Sequence, residues 1–406
     1  MQTIHPFANT ANSVKIVDSA KDYYIHSGNV ASLDFISGLY NCPLGYSEDV
    51  IKRAMIDTMT GLPCNHIFAI VPGISQSNTY TEKLTTTLSG LIPFGKYISY
   101  TNSGAEAGDL GIRYCINKNC KRTKIVSYRN SYHGSTSLTN TVSGNLNTDL
   151  LDRIYVDFYD AESIFDKDEY IDYFKNTLIT HNPESILCFM IEPMIGASGG
   201  LLMKENILPE LTALCRQYGI LIILDEIISG FGRLGTMFAF EKYNVIPDVL
   251  LLSKQITNGY MPMGVCILSD TFNLENTDIK MGYTSAGNPI ACAAANSSIH
   301  LIQQSMYAIQ QVSIQLKQAG DVLLAHNKSY RFEHAGCFAA LHFSQRKDKL
   351  ESFDYNIGGE IADRCYKKGL IIRGTPKSII LAPGYYMSNA QFIFATSTIK
   401  EILNEL

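Results

Sequence analysis

Several features that mark particular classes of protein are missing from this chain of 406 residues. It contains no tryptophan, its charged residues make up only 17% of the chain, and its net charge is −5 at pH 7. No run of eighteen apolar residues occurs, so no ordinary transmembrane helix is expected. Lysine and arginine form no long cluster, which argues against nucleic acid or an anionic membrane as a partner. Small-molecule partners remain, and the low charge favours a surface partly covered by a second subunit.

The ten cysteines form no CxxC pair. They are scattered among apolar neighbours, as at Cys188, Cys266 and Cys292, which is typical of reduced, buried thiols rather than of a disulfide framework or a zinc site. The first residues, MQTIHPFANTAN, have neither the basic region nor the apolar stretch of a signal peptide. We therefore expect a soluble, cytoplasmic protein without a metal site.

Three uncharged apolar runs end in charged residues. Ile186–Ile191 precedes Glu192, Ile220–Leu224 precedes Asp225, and Val249–Leu252 lies just before Lys254. Such runs predict strands covered on both faces, as in a parallel α/β sheet, whose ligands bind outside the carboxyl ends of the strands. A lysine and an aspartate at neighbouring strand ends suit pyridoxal phosphate, which needs an amine for a Schiff base and an anion beside its ring nitrogen.

A P-loop NTPase is an alternative interpretation. Gly90–Lys96 (GLIPFGK) has the spacing of a phosphate-binding loop, and the Asp225–Glu226 pair resembles a magnesium-binding strand end. The details disfavour it, because Tyr97 stands where a Ser or Thr would hold magnesium and Pro93 has no amide N–H to offer a phosphate. The next residues, KYISYTN, also look like a strand where that motif requires a helix.

Ser103 and Glu106 have the spacing of a capping box and follow the predicted strand Tyr97–Tyr100. A helix that starts directly after a strand forms an anion site, because the amides of its first turn are unpaired and point the same way. We assign Ser103, Gly104 and Ala105 to a phosphate group. An ordinary capped helix would have the same local pattern.

The stretch DEIISGFGRLGTMFAFEKYNVIPDVLLLSKQITNGYMPMGV, from Asp225 to Val265, resembles the signature of the class III aminotransferases, which are fold-type I pyridoxal phosphate enzymes. The similarity covers nearly the whole chain, and several details are most similar to the ω-amine:pyruvate (β-alanine:pyruvate) branch. It implies a large, doubly wound, mostly parallel α/β domain over about residues 51–300, and a small α+β domain built from residues 1–50 and 301–406. Strands predicted near residues 98, 124, 186, 220, 249 and 264 support this architecture independently.

The resemblance implies roles for the residues around the cofactor. Lys254 would carry the Schiff base, Asp225 would face the ring nitrogen, and Ser103, Gly104 and Ala105 would hold the phosphate. The other expected cofactor contacts are Tyr132 on one face of the ring and Ile227 on the other face, together with His133, Glu192 and Thr284. In the family this threonine reaches the phosphate bound by the neighbouring subunit, which implies a homodimer with shared active sites.

Two residues are expected to contact the substrate. Tyr40, in DFISGLYNCPLGY, matches a pocket-lining aromatic that is often tryptophan in this branch, and Arg373, in GLIIRGTPKSIILAP, matches a movable arginine that suits a carboxylate. Ala197 and Ile380 occupy the positions of a glutamate–arginine gate in the ornithine and GABA branches, and Ile228 replaces a glutamine that touches the ring hydroxyl. Without the resemblance, Tyr40 would be interpreted as core packing and Arg373 as a surface ion pair.

Local patterns predict helices near Glu48–Met59, Ile207–Tyr218 and Ala291–Ala325, and a loop from Ser135 to Asp149. Two glycines, Gly108 and Gly111, lie inside the helix that follows Ser103. Each costs up to about 1 kcal/mol there relative to alanine. The sequence offers no reason for them.

We expect a transaminase that moves an amino group from an amine or ω-amino acid to an oxo acid, aldehyde or ketone in two half-reactions through Lys254. Decarboxylases, racemases and aminomutases on the same scaffold are alternatives, because the outcome depends on which substrate bond stands perpendicular to the ring. A non-catalytic protein that retains the cofactor is a further alternative. The sequence does not identify the amine.

Overall fold

The computed structural model describes residues 14–68, 74–144, 151–160, 163, 165–204, 207–275, 280–325, 330–343 and 356–406. The strands are β1 (Ser19–Lys21), β2 (Tyr24–Ser27), β3 (Val30–Asp34), β4 (Gly95–Thr101), β5 (Lys124–Tyr128), β6 (Asp152–Val156), β7 (Ile186–Ile191), β8 (Met194–Ile195), β9 (Leu201–Leu202), β10 (Leu221–Asp225), β11 (Val249–Leu252), β12 (Gly264–Ser269), β13 (Arg331–Ala335), β14 (Phe338–His342), β15 (Leu370–Ile371), β16 (Arg373–Thr375) and β17 (Ser378–Leu381). The helices are Asp49–Gly61, Thr79–Leu91, Gly104–Lys118, Ser137–Val142, Lys167–Thr180, Leu208–Gln217, Ala239–Tyr243, Pro289–Gln304, Met306–Leu324, Ile357–Lys367 and Asn389–Asn404.

The largest sheet has seven strands in the order β4-β12-β11-β10-β7-β5-β6. Six run in one direction, and β12 is antiparallel to both of its neighbours. The apolar runs of β7, β11 and β12 are buried along their whole length, as strands covered on both faces must be. This confirms the predicted doubly wound, mostly parallel sheet and its six predicted strands, while β6 is an addition that the sequence did not indicate.

Besides the two-stranded sheet β8-β9, two four-stranded sheets lie outside it. One has the order β1-β2-β3-β15, so that a strand from the C-terminal part of the chain pairs in parallel with β3 near the N-terminus. The other has the order β13-β14-β17-β16 and places Arg373 directly opposite Ile380. The two ends of the chain therefore share a sheet, while the boundaries at residues 50 and 300 stay a prediction.

The unexplained glycines of the helix Gly104–Lys118 mark close packing. A Cβ on Gly108 would lie 2.5 Å from Cγ2 of Thr139, and one on Gly111 would lie 3.1 Å from Cγ1 of Val249. Distances under about 3 Å are too short for carbon atoms without a shift of the neighbour. The loss of helix propensity is therefore offset by close contact with the sheet and with the helix Ser137–Val142.

The predicted loop from Ser135 to Asp149 is wrong in part, because Ser137–Val142 is a helix, while residues 145–150 lie outside the described residues. Oδ1 of Asp109 accepts hydrogen bonds from the backbone N–H groups of Leu138 and Thr139, at 3.2 and 2.9 Å. This carboxylate caps the helix from another element, which a local sequence pattern cannot reveal. The helix predicted from Ala291 to Ala325 is two helices interrupted at Ser305.

The P-loop alternative does not fit the fold. Lys96 lies in β4, and its Nζ is 3.3 Å from the carboxylate of Glu275 at an exposed position. The glycine–lysine segment thus leads into a strand instead of a helix, so it lacks the amide cradle that such a loop needs. Eight of the ten cysteines are buried, Cys64 and Cys120 being exposed. Across the part of the chain that the structure describes, no helix has the length and apolar character to traverse a bilayer.

Candidate active site

The predicted site residues follow the carboxyl ends of neighbouring strands. Ser103 follows β4, Tyr132 and His133 follow β5, Glu192 follows β7, Asp225 ends β10 and Lys254 follows β11. Parallel strands end at one edge of a sheet, so these side chains come together there. They line one cavity of about 600 Å³, a volume that suits a cofactor with part of a substrate. The structure thus brings together the residues expected at the ring and phosphate.

Two contacts fix the position of the Asp225 side chain. Its Oδ2 is 2.7 Å from Nδ1 of His133, and its Oδ1 accepts the backbone N–H of Ile227 at 3.1 Å. Both Asp225 and His133 are nearly fully buried, at 4% and 2% exposure. A buried carboxylate with an imidazole donor behind it is oriented to face a cationic or protonated nitrogen in the cavity.

Lys254 begins a short 3₁₀ turn after β11 and has a left-handed backbone, with φ of 46°. A non-glycine residue in this region is strained, and such strain is concentrated at functional sites. Burial lowers the pKa of Lys254 to about 8, while Asp225 and Glu192 oppose the shift and Arg373 adds to it. Its Nζ lies 5.8 Å from the ring centre of Tyr40. The geometry thus presents an amine that is partly neutral near pH 7.

The helix that starts at Gly104 leaves its first amides for a ligand. Oγ of Ser103 accepts the N–H of Glu106 at 3.2 Å, which confirms half of the predicted capping box. The carboxylate of Glu106 accepts the N–H of Asn102 at 2.7 Å and not that of Ser103. The N–H groups of Ser103, Gly104 and Ala105 are therefore available to an anion. A Cβ on Gly104 would lie 2.7 Å from Cδ1 of Ile227, so a larger residue at the helix start would require this side chain to shift.

The N-terminal segment reaches the site through a strained turn. Four consecutive residues have positive φ: Ser37 (49°), Gly38 (57°), Leu39 (59°) and Tyr40 (70°). Left-handed conformations cost about 1–2 kcal/mol for each non-glycine residue, so other contacts must hold the turn. The carboxylate of Asp34 supplies them, because it accepts the N–H groups of Ile36 and Gly38 and the hydroxyl of Tyr46.

Tyr40 is 1% exposed, and its hydroxyl donates to the carbonyl of Gly196 at 3.0 Å. Burial raises the pKa of Tyr40 to about 12, against the effect of Arg373. The cavity wall in this region is formed by its neighbours Gly38, Asn41 and Cys42. Tyr40 thus lies close to Lys254 and Arg373, and its contact with a substrate stays a prediction.

Arg373 lies close to Tyr40. It lines a second cavity of about 850 Å³, and its Nη2 donates to the carbonyl of Ala197 at 2.9 Å. Its position opposite Ile380 on the neighbouring strand puts the guanidinium near the place where some relatives carry a gating arginine. Arg373 also influences the pKa of Lys254, so it lies within electrostatic reach of the amine.

A comparison with known protein families identifies the family of this chain. The sequence profile of the family described as aminotransferase class-III matches residues 8–403. The chain belongs to this family. Among known proteins, this aminotransferase is 27% identical to probable gamma-aminobutyrate transaminase 4 of Oryza sativa subsp. japonica, over 91% of this chain and 82% of that protein. It is also 25% identical to vanillin aminotransferase of Capsicum frutescens, over 92% of this chain and 87% of that protein.

Solved structures match the fold. An aminotransferase from Vibrio fluvialis in its PMP-bound form superposes with a TM-score of 0.90 at 23% identity, covering 99% of this chain and 96% of that one. An omega-aminotransferase from Paracoccus denitrificans gives a TM-score of 0.91 at 23% identity, with the same coverage. These likenesses confirm fold type I. The class III aminotransferase is a transaminase that uses pyridoxal phosphate, as the sequence resemblance implied.

The residues present fit this cofactor on their own chemistry. Lys254 offers a partly neutral amine, Asp225 offers a buried anion for the ring nitrogen, and the free amides at Ser103 offer a phosphate site. Tyr132 and Ile227 line the cavity, as expected for the two faces of a ring. Among the described residues, no group of three or more His, Cys, Asp or Glu side chains could hold a metal.

Thr284 is exposed in a turn and does not line the cavity of its own chain. Its predicted role depends on a second subunit and stays a prediction. Sequence reasoning missed the cavity residues Asn41, Cys42, Tyr46 and Met261. Only the position of the first three, in the segment around Tyr40, could have indicated them.

Proposed function

We propose that the enzyme moves an amino group from a primary amine or ω-amino acid to an oxo acid by a ping-pong mechanism. The observation that carries this proposal is a low-pKa lysine and a buried carboxyl on one cavity, with an arginine of a second cavity within electrostatic reach of that lysine. Lys254 faces the first cavity, and Arg373 lies in the second. A substrate that spans them could react at one end and be held by charge at the other.

Each protein residue has a distinct role in the proposed reaction. Bound pyridoxal phosphate supplies an aldehyde carbon for amines and a ring that accepts electrons. Nζ of Lys254, kept partly neutral by burial, would accept a proton from the donor carbon and give it back to the carbon of the bound cofactor. Asp225 keeps the ring nitrogen protonated, and the buried His133 holds Asp225 in place.

Arg373 supports an acceptor with a carboxylate. Its guanidinium has a planar fork that takes a carboxylate in two parallel hydrogen bonds. In the structure the guanidinium of Arg373 donates a hydrogen bond to the carbonyl of Ala197. A carbonyl is a weaker partner than a carboxylate, so an acid substrate can replace it. Ala197 occupies the position of the glutamate that pairs with a gating arginine in other branches of the family. That position therefore offers no carboxylate to compete with the substrate for Arg373.

The proposal is tested by half-reactions of the loaded enzyme with candidate donors and acceptors. Its visible absorbance should bleach with a productive amine and return with an oxo acid, and return more slowly with an aldehyde of equal length, which Arg373 cannot bind. Release of carbon dioxide from an amino acid donor, without return of the absorbance by any oxo acid, would instead indicate a decarboxylase.

Lys254→Ala should lose the covalent link to the cofactor and about 10²–10⁴-fold in turnover, the usual range for removing a general acid–base group. Lys96→Ala is the matched control, since that lysine is exposed and paired with Glu275 in β4. It should keep the wild-type absorbance and turnover. Transamination by Lys254→Ala at the control rate would disprove the assignment.

We also propose a homodimer with shared active sites. Thr284 and Ser285 are exposed, and Phe68, 41% exposed, lies against Gly282 beside them. An apolar side chain next to a polar loop fits the rim of a subunit interface. Light scattering should give the mass of two chains, and Thr284→Ala should weaken cofactor affinity by about tenfold, as for one hydrogen bond to a charged group. A monomer whose cofactor affinity does not depend on Thr284 would contradict this.

We propose a cytoplasmic location, because all ten cysteines are free thiols in the structure. Fractionation of cells that express the protein, followed by immunoblotting, tests this. Recovery in an oxidising compartment would contradict it.

A further inference from the structure

Glu192 is a second buried carboxyl in the site. It is 3% exposed and lines the cofactor cavity. Its Oε1 accepts the backbone N–H of Tyr132 at 2.7 Å. Oε2 is thus the oxygen left to meet a group bound in the cavity. A buried carboxyl with one partner is costly as an anion, so its protonation state matters.

Asp225 and Glu192 are buried carboxyls in the same site, so a charge on Asp225 disfavours the ionisation of Glu192. Among the described residues, Asp225 has both the imidazole of His133 and the N–H of Ile227, whereas Glu192 has a single hydrogen-bond donor, the N–H of Tyr132. Two neighbouring carboxyls in a low-dielectric site cannot both ionise readily, and the one with poorer partners keeps the proton.

The groups that face Glu192 agree with this assignment. Burial and, to a smaller extent, Asp225 raise the pKa of Glu192, and His133, the N–H of Tyr132 and Lys254 oppose the shift, with the result that the pKa is about 7. The charge of Glu192 also contributes to the raised pKa of Tyr40. At neutral pH Glu192 is therefore protonated in a large fraction of molecules and can donate a hydrogen bond.

The order of the strands indicates which part of the cofactor Glu192 faces. The phosphate site follows β4 at one end of the series, Lys254 follows β11, Asp225 ends β10, and Glu192 follows β7 on the far side. In pyridoxal phosphate, the ring hydroxyl and the phosphate-bearing arm flank the aldehyde-bearing carbon on its two sides. With the aldehyde at Lys254 and the phosphate at Ser103, the hydroxyl edge of a bound cofactor would face the end of β7.

Ile228, in the segment that follows β10, has no polar side-chain group to offer to that edge of the ring. It lines the cavity and packs against the segment after Glu192, since a Cβ on Gly196 would lie 2.7 Å from its Cδ1. An isoleucine cannot hydrogen-bond the ring oxygen. We propose that Glu192 takes this role, with its protonated carboxyl donating from Oε2 to the ring oxygen of the bound cofactor.

The test uses purified apoprotein and pyridoxamine phosphate, which keeps the ring oxygen but needs no covalent link to Lys254. Calorimetry should give an affinity about tenfold lower for Glu192→Leu than for wild type, the value of one hydrogen bond to a charged group. Glu192→Gln, the matched control, keeps an N–H donor of the same length and should bind within about twofold of wild type. A 3-deoxy analogue, without the ring oxygen, should bind all three proteins equally.

A pH series separates this contact from a general effect of packing. As pH rises through 7, the wild type loses its donated proton and gains a charge facing the ring oxygen, so its affinity should fall relative to Glu192→Gln. Equal losses for Glu192→Leu on both ligands, or no loss on either, would overturn the proposal, and so would Glu192→Gln binding as poorly as Glu192→Leu. Thermal unfolding of the apoproteins shows that the variants are folded. The inference rests on the family's cofactor alone, so its failure would leave the proposed donor and acceptor intact.

Discussion

The reactivity of Lys254 gives the sharpest quantitative prediction, because only a neutral amine can attack an aldehyde. Burial lowers the pKa of Lys254 from 10.5 to about 8. At pH 7 about one molecule in ten then has a free amine, against about one in three thousand for an ordinary lysine. The apoprotein should therefore capture pyridoxal phosphate about 300-fold faster than an unperturbed lysine would at this pH.

The assay is a rapid-mixing experiment with apoprotein and pyridoxal phosphate over a series of pH values. The rate of covalent capture should rise with pH, with its midpoint near pH 8, and level off about one pH unit higher. The charged neighbours set the direction of change in two variants. Asp225→Asn removes an anion that favours the charged amine and should move the midpoint down, whereas Arg373→Leu removes a cation and should move it up.

The reasoning would be refuted by a midpoint near that of free lysine, since burial would then have no influence on the amine. An Arg373→Leu midpoint below that of wild type would also contradict it, because the sign of the electrostatic effect would be reversed. Borohydride trapping of the captured aldehyde and peptide mapping should locate the label at Lys254. Labelling elsewhere would show that the rate reports another amine.

Two further predictions concern stability. Gly108→Ala should lower the free energy of unfolding by about 1–3 kcal/mol despite alanine's better helix propensity, because the added Cβ would lie 2.5 Å from Thr139. Gly111→Ala, whose nearest contact is 3.1 Å, should lose less in thermal denaturation, and the reverse order would contradict the packing argument. Burial raises the pKa of Glu226 to about 8, so the folded protein binds a proton there that the unfolded chain releases above about pH 4.5. Wild-type stability relative to Glu226→Gln should therefore fall as pH rises from about 4.5 to 8 and then level off, and a rise over that range would refute the assignment.

Much of the site could be predicted from the sequence, because its residues follow strands whose apolar runs are visible. Asp225, Glu192 and Lys254 each come at or just after such a run, and the fold places them at one edge of the sheet. The start of the helix at Gly104 was equally clear from the Ser103–Glu106 spacing. These signals are local, so no knowledge of distant contacts is needed to find them.

What could not be predicted depends on contacts between distant segments. The helix Ser137–Val142 is capped by Asp109, and Gly108 is required by the approach of Thr139. The left-handed turn that ends at Tyr40 is held by Asp34, and only one of its four residues is a glycine. Propensity alone argues against all three features, and tertiary contacts override it.

The adjacent carboxyls of Asp225 and Glu226 show why sequence alone assigns position better than role. Successive side chains at the end of a strand point to opposite sides, so only one of the pair can face the cavity. Asp225 faces it, with His133 behind the carboxylate. Glu226 turns away and accepts the N–H groups of Ala239 and Phe240, at 2.6 and 2.8 Å, at the start of a helix. Asp225 is therefore available to the cofactor site, while Glu226 fixes the loop after the strand. The pleat of β10 and the helix that starts thirteen residues after Glu226 together determine these two roles.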